Sequence, residues 1–140
     1  GNFMCTSFKK ELLKGVHNFT AASNVFKLAM YTNSASFNAA TTAYTSGNEV
    51  SGTNYTAKGN AITTVTPTSS STTAFVDMDN VVFTNVTLTG VRGALIFNEA
   101  ASGDPTVCVL DFGSDKAASA GDFTVVMPTA DASNAIIRIA

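Results

Sequence analysis

Charge is scarce in this chain: Asp, Glu, Lys and Arg make up 13% of its 140 residues, where soluble domains usually run near ~25%. The net charge is −2, and of the eight basic residues only Lys9, Lys10 and Lys14 cluster. A phosphate backbone needs a wider basic patch, so nucleic acid is not an expected partner. Cysteine occurs twice, as Cys5 and Cys108. That is too few for a zinc site and too far apart for a disulfide framework, so two free thiols are expected. Cys108 lies in the apolar run Thr106-Val107-Cys108-Val109-Leu110 and reads as buried and inert. Cys5 precedes a helix start, where a thiol pKa can be lowered. Tryptophan is absent and there are three tyrosines. A sugar-binding reading therefore has only Tyr31, Tyr44 and Tyr55 as platforms, the last two in loop-like segments. No apolar run approaches the ~20 residues of a membrane helix, and the first residues do not read as a secretion leader.

Catalytic patterns are equally thin. The single histidine, His17, sits just past a short helix and is expected as a capping or surface residue. No Gly-x-Ser-x-Gly elbow accompanies it. Asp111-Phe112-Gly113 copies a kinase metal-binding tripeptide without the Gly-rich loop, paired lysine and catalytic loop that give it meaning. Asp77 and Asp79 lie two apart, the spacing of paired carboxylates or calcium ligands. The glycine and distal glutamate of a calcium loop are missing, so a solvated turn or strand end is expected there. Asp111, Asp115 and Asp122 read as turn formers. Neither a cofactor nor a metal is expected, and the chain reads as not an enzyme. Three sequons begin at Asn18, Asn54 and Asn85, a pattern that a Thr- and Asn-rich chain produces by chance. The myristoylation pattern fails because Cys5 stands where Ser or Thr is needed.

What the chain does have is small, neutral, hydrogen-bonding residues: Ser, Thr and Asn are about a third of it. A surface of that kind loses little solvation and little rotamer entropy when another protein covers it. One domain, 1–140, is expected. It divides into an arm at 1–5 carrying Phe3 and Met4, a helix at 6–16 and a β domain at 25–140. Thr6 or Ser7 can cap the helix, Phe8, Leu12 and Val16 share a stripe, Leu13 widens it, and Gly15 is a stop. Alternation then predicts strands at 25–31, 61–66, 73–78, 81–88, 91–98, 106–112, 122–127 and 135–140. A compact loop is expected at 33–50, a bend at Gly90, and loops at 99–105 and 111–121. Short strands at this spacing indicate a mainly β fold, an antiparallel β-sandwich or barrel-like domain with one short N-terminal helix. The last strand has one charge, Arg138, among Ile136, Ile137 and Ile139. It is an aggregation hazard unless covered, and a place within its own sheet is expected.

Several segments form one recognisable pattern: Asn2-Phe3-Met4-Cys5-Thr6-Ser7-Phe8-Lys9-Lys10-Glu11-Leu12-Leu13, then Phe26-Lys27-Leu28-Ala29-Met30-Tyr31-Thr32 and Tyr55-Thr56-Ala57-Lys58-Gly59-Asn60. Arg92-Gly93-Ala94-Leu95-Ile96-Phe97-Asn98, Leu110-Asp111-Phe112-Gly113-Ser114-Asp115-Lys116 and the ending from Pro128 to Ile139 belong to it as well. In these segments the chain resembles small virion structural proteins of tailed bacteriophages. The resemblance implies a capsid decoration or cement protein on the outer surface of the virion, often a trimer. Its partners would be the major capsid protein and other copies of itself, with neither nucleic acid nor membrane. A tail, fibre or adhesin component, including a carbohydrate-binding one, is the alternative. Phe3, Met4, Phe8, Ile137 and Ile139 are the expected partner-interface residues.

Overall fold

A computed structural model describes residues 1–20, 24–64 and 66–140. It is mainly β, with two antiparallel sheets and one short helix, as the alternation predicted. The helix α1 spans Thr6–Leu13, three residues shorter than expected. Gly15 at φ +73° turns the chain, and the N–H groups of Lys14, Gly15 and Val16 close back on Glu11 and Leu12 carbonyls. Val16 therefore falls outside the helix. The N-cap is Cys5, with no side-chain cap; the Thr6 N–H instead donates to the Ala39 carbonyl.

The larger sheet runs β1 (Phe3–Met4), β7 (Thr106–Val125), β6 (Val81–Asn98), β2 (Phe26–Tyr31) and β3 (Asn60–Ala61). The smaller sheet runs β4 (Thr68–Ser70), β5 (Thr73–Val76) and β8 (Ile137–Ile139). Two of the expected strands, 81–88 and 91–98, are one continuous strand. The strand expected at 61–66 is only Asn60–Ala61, with a bridge from Thr64 to Met78; Val65 lies outside the described residues. The strand expected at 73–78 stops at Val76. The last strand is an edge, not the middle, of its sheet.

The central departure is 111–121. Its Gly, Ser, Asp and Ala content predicted a loop, yet it pairs with β6 as part of β7. Register shifts between Phe83 and Gly93 absorb the extra residues, with Asn85, Gly90, Gly113 and Ala120 at positive φ. Bulges of this kind sharply bend a two-stranded ribbon. Phe112 and Phe123 show how far: eleven steps of straight strand would cover about 36 Å, but their ring centroids lie 6.2 Å apart. The ribbon folds over the core, turning Val81, Phe83, Val86, Leu88 and Val91 inward.

Core packing also decides the fate of the helix and arm. Phe8 is fully buried and stacks obliquely on His17, while Phe19 and Phe26 stack face to face at 4.4 Å. The arm is not loose: Phe3 pairs with Val109 and Met4 with Cys108. Among the described residues no helix is long and apolar enough to cross a membrane.

Candidate functional site

Among the described residues, three polar clusters around Glu49, His17 and Asp77 and a set of apolar grooves bear on function, beside a partly exposed ion-pair group of the N-terminal amine, Asp111, Arg92 and Asp115. The first cluster is centred on Glu49, the only charged residue between Lys27 and Lys58. Its carboxylate accepts from Tyr44 Oη at 2.6 Å, Tyr55 Oη at 2.7 Å and the Lys58 N–H at 2.9 Å. Tyr55 Oη in turn accepts the Met30 N–H, and Tyr31 Oη donates to the Thr45 carbonyl. Burial, and then the nearby Glu49 charge, push all three tyrosine hydroxyls above their ordinary range. Lys58 Nζ donates to Asp104 at 2.7 Å and lies 3.7 Å from Glu99, which also pairs with Lys27. The cluster pins the 44–59 segment to β2 and to the turn after β6. Tyr44 and Tyr55, expected as sugar platforms, spend their hydroxyls on this internal clamp.

The second cluster holds the helix. His17 is buried, against the expectation of a surface or capping residue, because its ring fills the space between Phe8 and Phe26. The Ala100 N–H donates to Asn98 Oδ1, which fixes the Asn98 amide so that Nδ2 faces His17 Nδ1 and Asn24 Oδ1. His17 Nδ1 is then the acceptor, and Nε2–H donates to Glu11 at 2.7 Å. This is a latch between α1 and the end of β6, with both ring nitrogens used.

In the third cluster Asp77 departs from the solvated turn expected of it. It is buried; Oδ1 accepts the Met78 N–H, Oδ2 has no hydrogen-bond partner, and burial raises its pKa. Asp79 is exposed, and no group of three or more metal-ligating side chains occurs among the described residues. Cys5 and Cys108 are free and buried; burial pushes Cys5 up, against the lowering considered for it, and Cys108 up to about 12.

The five expected interface residues separate. Phe3 is 40% exposed and Met4 half-buried, both lining a groove of about 680 Å³ with Val125 to Pro128 and Asn134 to Ile136. Ile139, 58% exposed, lines another groove with Leu12, Phe19 and Pro67. Phe8 and Ile137 are not available on the surface: Phe8 is fully buried beside His17, and Ile137 sits at 3% exposure opposite Val76. The apolar stripe that drew attention to them is the core-facing one.

Sequence reasoning passed over the groove formed by the bent ribbon, about 440 Å³, lined by Phe112, Lys116, Asp122, Phe123, Val125 and Val126. Nothing in local spacing brings 112 beside 123; only the bulges do. It also expected Leu13 to widen the core-facing stripe, yet Leu13 is 92% exposed. Compared with known proteins, the chain matches no family model, no curated protein and no solved structure.

Proposed function

We propose that this chain is a structural subunit of a tailed-bacteriophage particle, a capsid decoration or cement protein without a catalytic role. It would bind across joints between major capsid subunits on the outer surface of the virion. One observation carries this reading. The polar side chains around Glu49 and around His17 are engaged with one another in bonds that hold loops and helix. What is left for contact is a hydroxyl- and amide-rich skin with apolar grooves opening at Phe3, Ile139 and Val126. Such a skin is cheap to desolvate, and an apolar centre of a contact of about 1,600 Å² is the usual scale for a specific interface. A subunit that binds only the assembled shell stabilises it by mass action. The resemblance of the segments at 2–13, 26–32, 55–60, 92–98, 110–116 and 128–139 supports the same assignment.

Quantitative gel analysis of purified particles tests it. Copies in the hundreds per particle are expected for a decoration protein; a handful would move the chain to the tail or a fibre, and none would remove it from the particle. Phe3→Asp, an exposed change on the arm, is expected to lower occupancy.

A further inference from the structure

We infer that copies of this chain bind one another head to tail, with Leu13 of one copy seated in the Phe112–Phe123–Val126 groove of the next. This deepens the copy-to-copy part of the reading above and rests on it. Whether the chain belongs to a particle is decided separately, by copy number.

The projecting half of the contact is the outer face of α1. Leu13 is 92% exposed, the most exposed large apolar side chain among the described residues, and it stands among the exposed Lys9, Lys10 and Lys14. None of these lysines forms an ion pair among the described residues. The segment 6–16, which contains α1, carries three lysines and Glu11, a net +2. The rest of the chain has five basic and nine acidic side chains, a net −4. The helix face is therefore attracted to the remainder of another copy, and by the same sign it is repelled from another helix face.

The receiving half is the crook of the bent ribbon. This groove is lined by a carboxylate that has no cationic partner among the described residues. Asp122 accepts the Asn85 N–H and pairs with no basic side chain, whereas Asp111 is held by Arg92. Val126, 73% exposed, forms the lip of the groove. Lys116 lines it as well, which sets the orientation: the helix lysines have to approach from the Asp122 side. An apolar knob ringed by positive charge thus meets an apolar hole whose lining carries one carboxylate, Asp122, and one ammonium, Lys116. Knob and hole are different surfaces, so the contact is heterologous and closes into a ring or continues as a chain.

The experiment is sedimentation velocity on the purified 140-residue chain from about 10 µM to about 1 mM, the range in which a modest interface declares itself. Wild-type protein is expected to associate with rising concentration, and more weakly in high salt. Leu13→Glu and Val126→Glu, both exposed, are expected to keep the wild-type circular dichroism and to weaken association at least about tenfold. The deciding measurement mixes the two variants. Val126→Glu keeps its knob and Leu13→Glu keeps its hole, so the mixture is expected to form a 1:1 complex that grows no further. A wild-type chain that stays monomeric throughout overturns the inference. So does undiminished association of Leu13→Glu, or a mixture that forms no complex. Binding of the monomer to anionic vesicles would reassign the helix face to a lipid surface.

Discussion

Replacing Glu49 by Ala removes the acceptor for three hydrogen bonds at once, from Tyr44, Tyr55 and the Lys58 N–H. Bonds to a charged group are each worth about 1.5–3 kcal/mol net, and a stranded buried donor costs about 1–3 kcal/mol. Those values do not simply add here. Glu49, Tyr44 and Lys58 are only partly buried, so water can replace part of what two of the bonds supply. Tyr55 is the more enclosed donor: its oxygen already accepts the Met30 N–H, and its ring stacks on Phe83. The expected loss is about 2–4 kcal/mol, most of it from Tyr55. Urea unfolding measures it, as a lower midpoint at unchanged slope. Tyr44→Phe is expected to cost less than Tyr55→Phe. Glu49→Ala combined with Tyr55→Phe is expected to be non-additive by at least about 0.5 kcal/mol. A loss below about 0.5 kcal/mol for Glu49→Ala, or strict additivity in the cycle, would refute the clamp.

The tyrosines make a pH prediction. All three folded-state pKa values lie above the ordinary 10.0, so the folded chain holds phenolic protons that the unfolded chain releases. The resulting stability is complete below pH 10 and is lost as pH rises beyond it. Tyrosinate absorbance is expected to appear late and together with unfolding; ordinary titration of a still-folded chain would contradict this. At Gly59 an added Cβ would lie 1.8 Å from the Leu28 carbonyl oxygen, with φ at +67°, whereas at Gly90 nothing is within 4 Å and φ is +65°. Gly90→Ala is expected to cost only backbone strain of about 1–3 kcal/mol and Gly59→Ala clearly more, as read by thermal melts. Cys5 and Cys108, both buried with raised pKa values, are expected to resist a thiol reagent in the native state and to react fully in denaturant.

The mainly β character was legible because alternation is local: β2, β5, β8 and both halves of β6 lie where the period-2 pattern placed them. The stretch 111–121 was not, because its composition is that of a turn and its pairing comes from β6, which it meets at Asp111, Lys116, Ala118 and Gly121 across successive register shifts. His17 illustrates the same limit at a single side chain. Its neighbours Phe8, Phe26 and Asn98 are separated from it by nine to 81 positions, so only the fold reveals that the ring is core. Glu49 left a faint signal, a lone carboxylate in an otherwise uncharged tract flanked by Tyr44 and Tyr55. The apolar face of α1 was read one residue too wide. An eight-residue helix has room for Phe8 and Leu12 toward the core, and Leu13 is carried round to solvent.

The folded ribbon also governs how this chain fails to meet its copies. A fibril template needs about six flat, consecutive residues along an open edge. In the β6–β7 pair the longest unbroken run of register is Gly93–Ile96 against Cys108–Asp111. β2 covers that run on one side and β1 covers Cys108 and Val109 on the other. Beyond it, toward Val125, β7 has no outer strand among the described residues, but its register is interrupted every few residues and it carries Asp115, Lys116 and Asp122. The exposed border of β7 is thus too crooked for cross-β stacking.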